Sequence, residues 1–456
     1  MAIASFIFGI VQLGIMLYVF QYEYNKGSIS CFLWGTLLIL FGLPHFLAVL
    51  FSRYSYDVDV YFRASLFVSA FCSVYLLFRY LMRGLISERT IDAIFQFGKD
   101  VRQNNHYSLI AAIGLVVAFI FLTVFSFVSF GSLSNATWGN IWENSGDIYD
   151  LGMNVGTLQL LSEYIIYAFG GVIAFGLLTN KKGLSIVGAL AVIGYLAVSR
   201  NRIMLLLGIV PVLLIFQNKH KRLDIKTLLV GILAVAAILY IVYAIRVYRH
   251  AGTVESFLTQ YPDPASFSSA VFEMMLSGDG ELFLRDAFYK FIYYDNNFPN
   301  FNLLHTYIRL LLIALPTQLT FGLKPEEFTV AMSSAYYNNY SNTINSFHPT
   351  LFGDCFANAY YLGVLLAIFW AFFVTIFDRK LLSCHPSRSI YYATTLGAVY
   401  VTIARGSVYN SCLYGAIGIL ICWMSFAFID FVTNTTSYRR KGCGATGKHI
   451  MKSGEE

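Results

Sequence analysis

The sequence predicts an all-α, polytopic membrane helix bundle of about 11 transmembrane helices, within a range of roughly 10–12, and three observations carry that reading. Hydrophobic residues fill 57% of the 456 positions and charged residues 12%, about half the roughly 25% charge of an ordinary soluble domain. Apolar runs continue along nearly the whole chain, where a soluble chain of this length would divide into domains with polar surfaces. Lys and Arg gather in short connections between those runs, so the net charge of +6 reads as topology and not as a nucleic-acid signal.

A hydrocarbon core of about 30 Å needs roughly 20 helical residues. That length places spans at 2–20, 30–51, 62–82, 107–131, 158–180, 184–199, 202–217, 227–245, 356–377, 389–404 and 406–432. The first lacks a basic n-region and an A-x-A cleavage site, so it is read as a retained span. Residues 1–245 then hold eight helices, 246–355 form one large loop, 356–432 hold three more helices, and 433–456 make a basic tail. Within the loop, the moderately apolar stretch 303–323 carries His305 and Arg309 and is broken by Pro316. It is expected to lie at the interface or re-enter without crossing. Aromatic content supports the same solvent: 41 Phe suit lipid and bundle interior, and 32 Tyr suit the headgroup belt.

Orientation follows from the basic connections: 83–102 (Arg83, Arg89, Lys99, Arg102), Lys181 and Lys182, 219–226 (Lys219, Lys221, Arg222, Lys226), 379–388 (Arg379, Lys380, Arg388), and the tail. If these are cytoplasmic, alternation puts 132–157, 200–201, 246–355 and 405 on the opposite face, together with the N-terminus. The loop 132–157 agrees, since it carries Glu143, Asp147 and Asp150 and no Lys or Arg. The seven cysteines lack metal-ligand spacing. Cys31, Cys72, Cys412 and Cys422 read as apolar filler, whereas Cys355 is placed at the outer face. No metal site and no cofactor is expected.

Chemistry is sought where the outer face breaks the rules of membrane composition. Ser199-Arg200-Asn201-Arg202 forms a two-residue hinge between short spans. Arginine there is costly unless it snorkels to headgroups or binds an anion, and two guanidinium forks match phosphate oxygens. Arg246, Arg249 and His250 stand where a span opens into the large loop, against the positive-inside tendency. Arg405-Gly406-Ser407 repeats the pattern between the last two spans. Three such sites converging in a bundle would make a pocket for a strongly anionic ligand; each is also explained by a headgroup clamp.

Inside the loop, Gly278-Asp279-Gly280-Glu281 precedes Arg285-Asp286, and Ser346-Phe347-His348-Pro349-Thr350 precedes Gly353-Asp354. His348 is a proton-transfer candidate near neutral pH. Glu281 and Asp354 are carboxylates able to act as base or to orient a hydroxyl, or simply to cap a helix. Tyr336-Tyr337-Asn338-Asn339-Tyr340 and Tyr289 with Tyr293-Tyr294-Asp295-Asn296-Asn297 suit sugars, because aromatic faces cover pyranose rings and amides meet hydroxyls. Both are ordinary interface compositions as well.

On Ser199-Arg200-Asn201-Arg202, on His348-Pro349-Thr350-Leu351-Phe352-Gly353-Asp354 with Asn358 and Gly363, and on Arg405-Gly406-Ser407, the chain resembles the O-antigen polymerase (Wzy) family. The resemblance implies a GT-C-like enzyme of the bacterial inner membrane, which would make 246–355, the one large loop of this chain, a periplasmic loop. Such an enzyme joins oligosaccharide repeat units carried on undecaprenyl pyrophosphate, as donor and acceptor, without nucleotide sugar, metal or nucleic acid. It works among membrane lipids and leaves room for a chain-length regulator protein as partner. The related O-antigen ligases use membrane-edge arginines and a periplasmic histidine, which carries those roles to Arg200, Arg202, Arg405 and His348. The two large loops often described for polymerases do not match the one large loop and modest 132–157 of this chain. An O-antigen ligase differs only in acceptor and stays open. A lipid-linked oligosaccharide flippase fits less well, because no repeat is evident and few mid-span positions ionise.

Overall fold

The computed structural model describes residues 2–86, 89–92, 94–95, parts of 112–120, then 170–178, 181–199, 203–222, 225–251, 254–276, 284–298, 303–315, 317–339, 347–384 and 386–445. Regular structure among them is helical throughout. The first three helices are α1 (Ala2–Lys26), α2 (Cys31–Leu50) and α3 (Val58–Leu81). The middle of the chain supplies α4 (Lys182–Ser199), α5 (Ile203–Lys219) and α6 (Ile225–His250). Shorter helices follow: α7 (Val254–Gln260), α8 (Pro264–Leu276), α9 (Leu284–Tyr293), α10 (His305–Leu311) and α11 (Phe328–Tyr337). The chain closes with α12 (Thr350–Ala359), α13 (Leu366–Ser383), α14 (Pro386–Arg405) and α15 (Val408–Ala445).

Five helices among the described residues are long and apolar enough to cross a membrane: Ile3–Lys26, Cys31–Leu50, Val58–Leu85, Thr350–Ser383 and Val408–Phe428. Shorter apolar helices run over Lys182–Ile193 and Gly208–Lys219. The architecture is that of a helical membrane protein. The expected spans at 107–131 and 158–180 fall largely outside the described residues. In α2 the turn Leu38–Gly42 widens to a π turn. Pro44 follows directly, and its missing N–H and ring displace the carbonyl one turn earlier.

α14, where a span is expected at 389–404, is more polar than those five helices. It carries Thr394, Thr395 and Thr402, whose hydroxyls donate back to the Ile390, Tyr391 and Ala398 carbonyls. With those donors satisfied, the helix takes a central place. Ile390, Tyr391, Leu396, Tyr400 and Ile403 are all buried, and α2, α5 and α15 pack on it.

Two expectations shift at the loop boundary. A domain border at 355/356 would cut α12, which runs unbroken from Thr350 to Ala359. The break comes later, at Tyr360, with φ +54 and ψ −138. There a β-carbon on Gly363 would stand 2.2 Å from the Cys355 carbonyl oxygen, so only glycine lets the chain double back so closely. Cys355 itself is fully buried among helices, near Tyr307. The stretch 303–323 forms only the seven-residue α10 and a 3-10 turn over Thr317–Thr320.

The bundle has two chemically different ends. At one, the C-terminal ends of α1, α3 and α13 meet the residues after α5. Tyr24 donates to the His220 carbonyl at 2.7 Å, Arg89 donates to the carbonyls of Asn25 and Lys221, and Lys221 pairs with Asp92 at 2.9 Å. Two of the basic connections, at 83–102 and 219–226, therefore share one end. At the other end, α9 and α12 pack against α3 and the π turn of α2. His45 fastens that end: fully buried, its Nδ1 bonds Tyr289 and its Nε2 bonds Ser65, both at 2.7 Å.

Candidate functional site

The site is built where α14 stops and α12 starts. Gly406 ends α14 in the left-handed region, at φ +102. The Gly406 amide donates to the Ile403 carbonyl and the Ser407 amide to the Thr402 carbonyl, which closes the last turn. Against this turn lies the segment ahead of α12. A β-carbon on Gly406 would stand 2.7 Å from the Thr350 amide nitrogen and 2.8 Å from Pro349 Cδ. The motifs His348-Pro349-Thr350 and Arg405-Gly406-Ser407 are thus in direct contact, although more than fifty residues separate them in the chain.

Thr350 is the residue that sequence reasoning passed over. It is β-branched, fully buried and held at φ +65, a conformation such side chains almost never adopt. Its hydroxyl has no hydrogen-bond partner among the described residues. Strain and an orphaned buried polar atom at one position are the marks of a site whose surroundings impose geometry for function. Neither is visible in a linear sequence.

One turn further, Asp354 is fully buried and occupied. Its Oδ2 accepts from Thr306 Oγ1 at 2.9 Å. Asn358 donates to the Asp354 carbonyl at 2.7 Å and accepts the Thr306 amide at 2.7 Å. This knot pins the start of α10 to α12. Asp354, a candidate base from sequence, occupies an anchoring position on the inward side of α12.

Cations collect beside the same turn. The Arg309 guanidinium sits 4.5 Å from the centre of the Tyr409 ring and donates to the Pro325 carbonyl. Lys324, 9% exposed, lies 5.8 Å from that ring and donates to the Leu315 carbonyl at 2.7 Å. Neither forms an ion pair with a described carboxylate. Glu327 is engaged elsewhere, accepting from Thr329 and Asn410. Cations held on a ring face with no acid partner leave their charge available to an anion. His305 opens α10 with Nε2 donating to the Glu326 carbonyl at 2.5 Å. Burial lowers its pKa, with Arg309 adding to the effect and Glu326 opposing it.

The aromatic candidates divide. Tyr336 is stacked on Phe347 with centroids 4.6 Å apart, carries Lys290 above its ring at 4.4 Å and donates to Asp286 at 3.2 Å. Burial raises the Asp286 pKa and lowers that of Lys290. Tyr336 therefore braces the residue before His348. Tyr337 is 59% exposed, and Asn338 ends α11 at φ +51, also exposed. Those two remain open to a ligand.

The other predicted residues are not brought together here. Arg200, Arg202 and Glu281 lie outside the described residues. Arg246 and Arg249 belong to α6. That helix packs on α8 through a small core of its own, Tyr243 and Val247 against Val271, separate from the main core that holds Phe347, Leu351 and Ile403. No protein family, no curated protein and no solved structure matches the chain.

Proposed function

We propose that this chain is a membrane glycosyltransferase that polymerises oligosaccharide repeat units carried on undecaprenyl pyrophosphate, at the periplasmic face of a bacterial inner membrane. In this reading the bundle has about 11 spans in a GT-C-like arrangement, and the end bearing α9–α12 faces the periplasm. The contact between Pro349-Thr350 and Arg405-Gly406 is the observation that carries it. It joins a histidine motif to an arginine motif beside two further cations, Arg309 and Lys324.

The chemistry asks for two things. As the bond between the anomeric carbon and the diphosphate oxygen breaks, negative charge grows on the leaving diphosphate, and fixed cationic donors stabilise it. Arg405 takes that part, with Arg309 and Lys324 added by their position and Arg200, Arg202, Arg246 and Arg249 as further candidates. The acceptor hydroxyl oxygen forms the new glycosidic bond, and its proton passes to His348. Asp354 holds α12 in place and leaves base catalysis to His348 and Glu281. Tyr337 and Asn338 offer an exposed ring and amide to the sugars.

The test is elongation by the purified protein in detergent, given undecaprenyl-pyrophosphate repeat units from the producing strain. Longer lipid-linked chains and free undecaprenyl pyrophosphate are expected. His348→Asn should lower the rate by about 10²–10⁴-fold with the melting temperature unchanged. No elongation by the wild-type protein, or an unchanged product ladder for both His348→Asn and Arg405→Gln, refutes the reading. Transfer only to a lipid A core acceptor assigns the ligase activity instead.

A further inference from the structure

At the end of the bundle away from the candidate site, a narrow recess of about 10 Å³, room for one water-sized group, opens between α1, α3 and α13, lined by Tyr22, Lys26, Arg79, Arg83, Thr90 and Asp378 among others. Two of its polar atoms are buried and have no hydrogen-bond partner among the described residues: Asp378 Oδ1, in a residue 1% exposed, and Thr90 Oγ1, also 1% exposed. Buried polar atoms in native proteins are almost always satisfied, so an orphaned carboxylate oxygen and hydroxyl in one recess mark a missing partner. The rest of the carboxylate set around them is closed. Arg79 holds both oxygens of Glu23 and the other oxygen of Asp378. Two carboxylates against one guanidinium leave an excess of negative charge at the floor. At the mouth stand two exposed cations, Lys26 and Arg83, and neither pairs with a described carboxylate.

Height supplies the identity of the partner. Lys26 is the last residue of the span Ile3–Lys26, and Arg83 belongs to the last turn of Val58–Leu85. The recess therefore lies at the level of the lipid headgroups. A ligand that suits it carries a small cation to reach Asp378 and, a few bonds away, an anion to meet Lys26, Arg83 and the Thr90 hydroxyl. Phosphate alone would meet the Asp378 carboxylate, and a bare cation would leave Lys26 and Arg83 unused. We propose that this recess binds the zwitterionic headgroup of a phospholipid bearing a primary ammonium. The ammonium donates to Asp378 Oδ1, and the phosphate is held by Lys26, Arg83 and Thr90. Room for about one water-sized group admits a primary ammonium to the carboxylate, and a quaternary trimethylammonium is too bulky to follow. The inference is independent of any glycan chemistry at the opposite end.

The full-length protein in detergent is titrated with dihexanoyl phosphatidylethanolamine, phosphatidylcholine and phosphatidylglycerol, and occupancy is read by native mass spectrometry. Phosphatidylethanolamine should bind about tenfold more tightly than either of the others, the worth of one charge-assisted hydrogen bond. Thr90→Val and Lys26→Gln, neither of which touches the closed ion pairs, should each weaken it by about threefold or more. Asp378→Asn should erase the preference over phosphatidylcholine where that variant folds. Equal binding of ethanolamine and choline lipids overturns the proposal. So does tighter binding of phosphatidylglycerol, which would make this a plain anion patch, and so does unchanged affinity in both Thr90→Val and Lys26→Gln.

Discussion

At one end of the bundle Arg79, 4% exposed, bonds Glu23 through Nε at 2.7 Å and Nη2 at 2.6 Å, and Asp378 at 2.9 Å. Tyr75 and Ser30 donate to Glu23, Ser28 donates to Asp378, and Thr375 accepts from Arg79. At the other end Arg309 and Lys324 face a single tyrosine ring and two carbonyls, with no carboxylate paired to them among the described residues. Both ends place charge where it is expensive, and they resolve the cost differently. The first network sets one guanidinium against two carboxylates, binds three of their four oxygens, and ties together α1, α3 and α13. Its main role is architectural. The second leaves positive charge in excess beside a strained turn, which suits a site that waits for an anion. Charge held by direct ion pairs fixes the frame, and charge left without a described counter-ion addresses a ligand.

That contrast is broken first through Arg79. Arg79→Met keeps the volume and leaves two buried carboxylates facing each other, a loss of about 3–5 kcal/mol for a broken buried pair. Folded yield in detergent and the melting temperature should both fall sharply. Arg309→Gln, by comparison, should leave melting nearly unchanged. If Arg79→Met melts like the wild type, the network is dispensable and the architectural reading fails.

A smaller effect is expected at the junction of motifs. Gly406→Ala puts a β-carbon 2.7 Å from the Thr350 amide nitrogen and asks for φ +102 from a residue with a side chain. The neighbouring backbone must move, at about 1–3 kcal/mol for such strain. A displacement near 1 Å between His348 and Arg405 should lower elongation by about 10²-fold, while the Arg79 network stays intact. Elongation unchanged in Gly406→Ala would separate the motif contact from the chemistry.

The sequence carried the solvent and most helices, because apolar runs of span length report lipid directly. Both motifs of the junction were also legible in the sequence, Arg405 as a charge at a membrane hinge and His348 as a proton-transfer candidate near neutral pH. What it could not carry was pairing. Glu23, Arg79 and Asp378 each stand near a span end and look like ordinary boundary charges; only packing shows that they bond one another. Thr350 is an ordinary threonine until its φ is known. Asp354 looks like a site carboxylate, and the Thr306–Asn358 knot reveals it as an anchor. The expected span 389–404 falls within helix α14, which is not among the five described helices long and apolar enough to cross a membrane; the start of α12 is missed because a helix that starts in a loop gives no hydropathy step at its first residue.

The smallest effect concerns how firmly α10 is held beside the cations. His305 is 3% exposed and donates through Nε2 to the Glu326 carbonyl. Burial depresses its pKa, Arg309 one turn along depresses it further, and Glu326 raises it in part. The folded state therefore binds fewer protons than the unfolded state below the ordinary histidine value. The sign is fixed: the contribution of His305 is complete above about pH 6.5 and is lost progressively as pH falls below it. Acidification should loosen the docking of α10 and expose the 311–323 segment, whose Leu311 and Phe321 are already 86% and 93% exposed. Proteolytic nicking in that segment should accelerate at about pH 5.5 relative to about pH 7.5. His305→Gln keeps an amide donor for the Glu326 carbonyl and removes the titration, so its nicking rate should be flat over the same range. A wild-type rate that does not change would show that protonation of His305 does not loosen α10, and a pH dependence that survives in His305→Gln would assign the titration to another group. In either case the histidine beside Arg309 would be only a packing residue.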